Sequence, residues 1–204
     1  AATDFIKTRT GEEHINALGY CIGGTLLSMT LAYHAKKKAP NPFRNACFLT
    51  TLIDFEQAGD LRLFIDEEQL KHIEKVMTEK GYLDAAYLRQ TFSLLRSNDM
   101  IWSFVVNNYL LGREPFPFDI LFWNDDSTNM PAAMHKFYLY ELYKDNKLCQ
   151  KDALTMKGTK LDIRKIDTPS YFLSTKDDHI APWIGTYDGA KLFKNARFTL
   201  AASG

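Results

Sequence analysis

The pentapeptide GYCIG at residues 19–23 is the feature that most constrains what this chain can fold into. It stands between a short apolar run, residues 15–19, and a long helical pattern that includes Leu26. A nucleophile at the apex of a strand-to-helix turn needs neighbours two residues away that lack a Cβ atom, because the strand and the helix approach closely there. The pattern therefore predicts a strand, a tight turn and a helix, with Cys21 at the turn.

Further short apolar runs predict that this first strand belongs to a parallel sheet. Residues 46–53 follow the helix and its basic end, so that two strands flank one helix in a right-handed βαβ unit. Later in the chain, predicted strands at 170–174 and 197–202 flank a predicted helix at 183–194. The fold class predicted from this order is α/β.

The stretch at residues 54–119 differs in character, because it lacks any long strand-like run and its helix signals follow one another. It predicts an inserted helical cap. Residues 1–53 and 120–204 are then the two parts of one α/β core.

Three helices are predicted within the cap. Asp66 caps a helix that Gly81 ends, and Asp84 caps the next. Asn98 is predicted to cap the third, which ends at Gly112. The residues of the third helix predicted to face inward are Trp102, Val105, Val106 and Tyr109.

Composition excludes several classes of protein. The 25 Lys and Arg residues balance 25 Asp and Glu residues, so no net field favours nucleic acid or an anionic membrane. The three cysteines, Cys21, Cys47 and Cys149, form no CxxC pair, which argues against a disulfide framework and a metal site and favours a cytoplasmic location. No apolar run approaches the roughly 18 residues that span a bilayer. The predicted partner is a small molecule or another protein.

Cys21 is the candidate nucleophile. The turn places its thiol at a helix N-terminus, whose partial positive charge stabilises a thiolate, so Cys21 is predicted to be the one cysteine with a lowered pKa. The backbone N–H of Ile22 is the predicted oxyanion donor. The alternative is a buried, inert cysteine between two packing glycines.

The order of later elements supports a catalytic interpretation, because an α/β-hydrolase places its acid after a later strand and its histidine after the last one. Asp178 follows the strand at 170–174, although Asp177 could serve instead and Asp178 could simply cap the next helix. His179 adjoins this acid and is as consistent with lining the pocket as with acting as the base. The remaining histidines are predicted to be solvated or satisfied: His14, His34, His72 and His135.

Several long blocks of this sequence carry a resemblance to a known family: LGYCIGGTLLS, LTTLIDFEQAGDLRLFIDE, FSLLRSNDMIWSFVVNNYLLG, PFPFDILFWNDDSTNMP and DDHIAPW followed by LAASG. The chain resembles the poly(3-hydroxyalkanoate) synthases, in particular their single-subunit class, over nearly its whole length. The resemblance implies that Cys21 is the nucleophile, that Asp178 is the acid, and that the cap at 54–119 covers the active site and contributes to a homodimer.

The activity implied by the resemblance is acyl transfer. A (3R)-hydroxyacyl-CoA acylates Cys21, CoA leaves, and a second monomer extends the polyester on a cytoplasmic storage granule, without a cofactor. The family's histidine follows a motif like LAASG, which implies a histidine directly after Gly204 and predicts that residues 1–204 alone are inactive. The alternatives are a hydrolase or depolymerase on the same scaffold, and a non-catalytic dimerising fragment. Together with His179, aromatic residues are predicted to line a dry pocket: Phe116, Phe118, Phe122 and Trp123. The alternative for each of these rings is that it belongs to the core.

Overall fold

The computed structural model describes residues 2–37, 40–95, 97–115, 119, 123 and 126–202. The strands in this part of the chain are β1 (Ile15–Tyr20), β2 (Phe43–Leu49), β3 (Tyr82–Leu83), β4 (Met130–Pro131), β5 (Thr155–Met156), β6 (Thr159–Lys160), β7 (Ser170–Thr175) and β8 (Ala196–Ala201). The α-helices are α1 (Ala2–Thr10), α2 (Ile22–Lys37), α3 (Glu67–Lys80), α4 (Ala85–Leu95), α5 (Ala132–Phe137) and α6 (Trp183–Ala190). Tighter 3₁₀ turns occur at Gly59–Phe64, Lys147–Cys149 and Ile163–Lys165, and wider π-helical turns at Asn98–Trp102, Val105–Leu110 and Tyr138–Lys144. None of the helices within these ranges is long and apolar enough to cross a membrane.

Four strands form one parallel sheet in the order β1-β2-β7-β8. Tyr20 of β1 pairs with Leu49 of β2, which in turn pairs with Leu173 of β7. The carboxyl ends of the strands therefore meet at one edge of the sheet, and the segments that follow them lie side by side. The predicted α/β fold with a parallel sheet is confirmed.

Three phenylalanines form the centre of the core beside this sheet. Phe48 of β2 and Phe172 of β7 are fully buried and stack with their ring centroids 4.4 Å apart. Phe193 packs edge-on against both rings, at 5.4 Å and 5.0 Å. Such close aromatic packing adds to the stabilisation that burial of apolar area provides.

Two predicted elements are longer than the structure makes them. The second strand was expected at 46–53, but it ends at Leu49, because Thr50 adopts a positive φ of 43° and turns the chain out of the sheet. The last helix was expected at 183–194, but it ends at Ala190. The chain turns there, which brings the Phe193 ring onto the phenylalanine stack.

The chain divides into two compact units. One consists of Ala1–Arg62 with Tyr140–Gly204 and contains the four-stranded sheet. The other, Leu63–Leu139, contains α3, α4, α5 and the small β3-β4 pair. The smaller unit carries the helices predicted as an inserted cap, with bounds at 63 and 139 where the sequence suggested 54 and 119. Its action as a lid stays a prediction.

The first two cap helices form as the sequence predicts. Asp66 accepts hydrogen bonds from the backbone N–H groups of Glu68 and Gln69, at 2.9 Å and 2.8 Å, and α3 begins at the next residue. Gly81 ends α3 in the left-handed conformation, with φ at 79°. The Asp84 carboxylate accepts a hydrogen bond from the N–H of Ala86 at the start of α4.

The third cap helix differs from its prediction. Asn98 does not cap it, because the residue before the first wide turn is Ser97, and its side chain makes no capping hydrogen bond. Trp102 and Tyr109, predicted to face inward, are 57% and 84% exposed, and Val106 is exposed as well. In these π-helical turns the hydrogen bonds join residues five apart, which widens each turn. Apolar residues spaced for a turn of 3.6 residues therefore no longer lie on one face. The following aromatic segment, Phe116 to Phe118, lies outside the described residues.

Hydrogen exchange should distinguish the cap helices from the core strands. We expect the amides of α4 to exchange faster than those of β2 and β7, since α4 has no buried residue whereas the core strands carry Phe48 and Phe172. Helix α3 is the matched control within the same unit, because it buries Leu70 and Met77 and should exchange more slowly than α4. Equal protection of α4 and the core strands, measured peptide by peptide, would contradict this expectation.

Candidate active site

Cys21 lies at the apex of a strained turn between β1 and α2. Its φ is 50°, a conformation that a residue with a Cβ atom rarely adopts. Its N–H donates to the Leu49 carbonyl oxygen at 2.9 Å, the last ladder bond before the chain leaves the sheet. Its own carbonyl oxygen accepts the first helical bonds of α2, from the N–H groups of Gly24 and Thr25. This is the geometry of a nucleophile elbow.

Two glycines permit the close approach of strand and helix at this elbow, and one of them was not identified from the sequence. A Cβ atom on Gly19 would lie 2.4 Å from the Gly24 Cα, and one on Gly24 would lie 2.0 Å from Thr51 Oγ1. A Cβ on Gly23 would meet nothing within 4 Å beyond its own helix, in the part of the chain that the structure describes. The expectation that Gly19 and Gly23 are the two required glycines is therefore right for Gly19 and wrong for Gly23.

Asp178 is held in the loop that follows β7, at the same sheet edge as Cys21. One carboxylate oxygen, Oδ1, accepts hydrogen bonds from the N–H groups of Ile180 and Ala181, at 2.9 Å and 2.8 Å. These bonds lie within the loop and fix the carboxylate in one orientation. They do not cap the next helix, the alternative predicted for this residue, because the N-cap position of α6 is Pro182 and has no side-chain capping hydrogen bond. The competing Asp177 is exposed.

The thiol of Cys21 has a raised pKa rather than the lowered pKa that its place at a helix N-terminus predicts. Burial raises the pKa most, because it disfavours the thiolate, and the negative charge of Asp178 raises it further. A hydrogen bond from the Ile22 N–H acts in the opposite direction but does not outweigh burial. The thiol is therefore protonated at neutral pH and requires a base to become a nucleophile.

The other two cysteines also have raised pKa values, so the expectation that Cys21 differs from them by a lowered pKa is wrong. Burial is the cause for Cys47 on β2. Burial and the nearby charge of Asp54 raise the pKa of Cys149 to about 11. The Cys149 sulfur also donates to the Asn146 carbonyl oxygen at 3.2 Å. What distinguishes Cys21 from the other two cysteines is its strained backbone at the elbow.

The electrostatic link between Cys21 and Asp178 has a measurable consequence. Asp178→Asn removes the negative charge but retains Oδ1 as an acceptor for the loop amides, so we expect the pKa of Cys21 to fall. Alkylation by iodoacetamide across a pH series, followed by peptide mapping, measures the midpoint for each cysteine. The midpoint of Cys149 should stay near 11 in both proteins. An unchanged or higher Cys21 midpoint in the variant would contradict the link.

The remaining predicted site residues occupy different places. A backbone hydrogen bond from Ile22 to the Cys21 thiol acts to lower the pKa of that thiol, and the role of this amide as the oxyanion donor stays a prediction. His179 is half-buried, and its carbonyl oxygen accepts a hydrogen bond from the Asp60 N–H. Trp123 is exposed in the smaller unit, and the predicted partners Phe116, Phe118 and Phe122 lie outside the described residues. The pocket-lining roles stay predictions.

Two hydroxyl residues near the elbow were missed from the sequence. Thr51 is fully buried, with its Oγ1 at 3.3 Å from the Cys21 carbonyl oxygen and 3.1 Å from that of Leu49. Thr25 donates from its hydroxyl to the Leu52 carbonyl oxygen at 2.8 Å. The contacts of Thr51 with Cys21 and of Thr25 with Leu52 join residues about thirty apart in sequence, and no local pattern marks such a pair. Across the described residues, no group of three or more His, Cys, Asp or Glu side chains is placed to hold a metal ion.

Comparison with known proteins agrees with the fold described above. The sequence model of the α/β hydrolase fold family matches residues 1–204. The poly(3-hydroxyalkanoate) polymerase of Methylorubrum extorquens is 47% identical over all of this chain and 33% of its own length, and the polymerase subunit PhaC of Rhizobium meliloti (strain 1021) is 44% identical over the same shares. The chain thus spans about a third of the length of these relatives.

The crystal structure of BpoC from Mycobacterium tuberculosis shares the fold, with a TM-score of 0.55 and 13% identity over the whole chain and 63% of that protein. The chain belongs to the α/β-hydrolase family, and along its whole length it is homologous to the poly(3-hydroxyalkanoate) polymerases.

Proposed function

We propose that this chain carries the nucleophile and the acid of a polyhydroxyalkanoate polymerase, an acyltransferase that acts on (3R)-hydroxyacyl-CoA. The observation that carries the proposal is the strained elbow, with Cys21 at its apex and the Asp178 carboxylate close enough to raise the pKa of the thiol. Strain in a residue with a side chain persists where the surrounding structure enforces it, and such residues cluster at active sites. The relatives named poly(3-hydroxyalkanoate) polymerase support the substrate class.

The first step in this proposal is acylation of Cys21. A base takes the thiol proton, the sulfur attacks the carbonyl carbon of the thioester, and a tetrahedral oxyanion forms. The oxyanion collapses, the bond from carbon to the CoA sulfur breaks, and CoA leaves with the proton that the base returns. The N–H of Ile22, which already lies at the sulfur, is the proposed oxyanion donor, and such a donor is worth about 10² to 10³ in rate.

The proposed base is a histidine on the segment that follows β8 in the whole polymerase. Strand β8 pairs in parallel with β7, so its continuation leaves the sheet at the edge where Asp178 and Cys21 lie. In the part of the chain that the structure describes, both hydrogen bonds of the Asp178 carboxylate use Oδ1. We propose that the other carboxylate oxygen, Oδ2, binds the histidine and orients its ring toward the thiol.

The second step joins two monomers. The 3-hydroxyl oxygen of a second hydroxyacyl-CoA attacks the acyl-enzyme, an ester bond forms, and the bond between the acyl carbon and the Cys21 sulfur breaks. The histidine takes the hydroxyl proton and returns it to the sulfur, which restores the thiol. Water must be excluded, since its attack would release a free hydroxy acid instead of extending the chain.

Product analysis tests this function. We define the chimeric polymerase as the Methylorubrum extorquens enzyme in which residues 1–204 of this chain replace the matching segment. Given (3R)-hydroxybutyryl-CoA, it should release CoA over many turnovers and form insoluble polyester. Free 3-hydroxybutyrate as the main product would identify a hydrolase, and a folded chimera that releases no CoA, judged beside the parent enzyme, would contradict the proposal.

A further inference from the structure

Two neighbouring strands of the sheet end in the same strained conformation. Cys21 follows β1 with φ at 50°, and Thr50 follows β2 with φ at 43°. The N–H of Thr50 still donates to the Leu173 carbonyl oxygen at 2.8 Å, so the chain turns immediately after its last ladder bond. A positive φ is a genuine outlier for a β-branched residue, and strain of this kind is a reason to ask what the segment after it does.

The beginning of that segment is bound to the elbow. Thr51 Oγ1 lies 3.3 Å from the carbonyl oxygen of Cys21, the residue whose conformation is strained. Its side chain fills the space that Gly24 leaves open, where a Cβ would lie 2.0 Å from Oγ1. Thr25, in the first turn of α2, donates to the next carbonyl of the segment, that of Leu52. The elbow is therefore held by two buried hydroxyls.

The far end of the segment is bound to the loop that carries Asp178. The N–H of Asp60 donates to the His179 carbonyl oxygen at 3.1 Å. Gly59 has a φ of 60°, and a Cβ on it would lie 2.1 Å from that same oxygen. The backbone of the segment therefore contacts the backbone of the acid loop directly, and a side chain at position 59 would not fit between them.

The middle of the segment is fixed at two points. A Cβ on Gly189 of α6 would lie 2.7 Å from Ile53 Cβ, so this helix packs directly on the segment. Asn146 also binds the segment: it donates from its amide to Asp54 Oδ1 at 2.8 Å and accepts from the Phe55 N–H at the same distance. A segment held at both ends and along its middle transmits the position of one end to the other.

We propose, on the basis of the roles proposed above for Cys21 and Asp178, that residues 50–60 form a positioning strap that fixes the separation between nucleophile and acid. Thr51 is the positioning residue at the elbow, and Gly59 is the point of contact with the acid loop. The strap touches no reacting atom. It acts through the backbone of the two loops that carry the reacting groups.

The elbow end is tested in the chimeric polymerase with Thr51→Val, which keeps the shape of the side chain and removes the hydroxyl. We expect kcat for CoA release to fall by about tenfold or more while KM changes little, because misplacement of a nucleophile slows the chemical step. Thr51→Ser restores the hydroxyl and should recover most of kcat. Ser170→Ala is the matched control, since the Ser170 hydroxyl is also buried but donates to the Thr168 carbonyl oxygen at the start of β7, at the opposite end of this strand from the Asp178 loop.

The acid end is tested by the coupling between Asp178 and the thiol. In the chimeric polymerase without a strap substitution, we expect Asp178→Asn to lower the alkylation midpoint of Cys21. We expect this shift to be smaller in a Gly59→Ala background, because the added Cβ must displace the acid loop from the strap. If Gly59→Ala does not fold, the same cycle with Thr51→Val decides the question.

Thr51→Val and Gly59→Ala distinguish a positioning role from a purely structural role, because the two roles predict different results. Lower thermal stability with an unchanged kcat, an unchanged Cys21 midpoint and an undiminished Asp178→Asn shift would overturn the strap. Equal losses of kcat in Ser170→Ala and Thr51→Val would overturn it too. The alkylation measurements require no turnover, so a chimera that makes no polyester would refute the proposed function and still report on the strap.

Discussion

Cys21→Ala in the chimeric polymerase is expected to lower the rate of CoA release by at least about a thousandfold and to abolish polyester formation. The substitution removes the atom that carries the acyl group between the two steps, and no other group can take over that role. The fold should survive, because the alanine Cβ occupies the same place at the turn. CoA release is followed with a thiol reagent, and polymer is measured after methanolysis.

The other cysteines provide matched controls for this experiment. Cys47→Ala and Cys149→Ala remove half-buried thiols of the same chain, neither of which stands at a strained turn. Both variants should retain activity within about threefold of the parent, the range of an ordinary side-chain deletion away from a site. Substantial CoA release by the Cys21 variant, or a loss in the Cys149 variant as large as that in Cys21→Ala, would refute the assignment of the nucleophile.

The elbow could be predicted from the sequence because its causes are local. A glycine, a cysteine and the change from a strand pattern to a helix pattern occupy a few adjacent residues, and each constrains the backbone directly. The same holds for α3, where Asp66 and Gly81 mark the two ends. The order of the parallel strands, which the sequence pattern also contains, predicted that Asp178 would lie at the same edge of the sheet as Cys21.

The pKa of the thiol could not be predicted in this way. The sequence shows the helix N-terminus, which lowers the pKa, but it does not show burial or the distance to Asp178, which raise it. Burial depends on tertiary packing, and Asp178 lies more than a hundred residues from Cys21 in the sequence. The prediction of inward-facing residues in the third cap helix was wrong for another reason. Its widened turns change the residue spacing from which Trp102 and Tyr109 were inferred to face inward.

The two adjacent glycines after Cys21 should respond oppositely to the same substitution. Gly24→Ala places a Cβ 2.0 Å from Oγ1 and 2.8 Å from Cβ of the buried Thr51, so α2 or the threonine must shift. We expect the free energy of unfolding to fall by about 1–3 kcal/mol or more, as in overpacked cores. We also expect kcat for CoA release to fall by about a hundredfold, since the helix that follows Cys21 is pushed away from the strap.

Gly23→Ala provides the control, since the change in chemistry is identical and the position is one residue away. Its Cβ meets nothing within 4 Å beyond its own helix, within the described part of the chain. In the first turn of α2, alanine should be neutral or stabilising by up to about 1 kcal/mol, with activity retained. Thermal unfolding and CoA release are measured for both variants. A larger loss in Gly23→Ala than in Gly24→Ala would show that the pentapeptide pattern identifies the required glycine, and that close contact between Gly24 and Thr51 does not control the elbow.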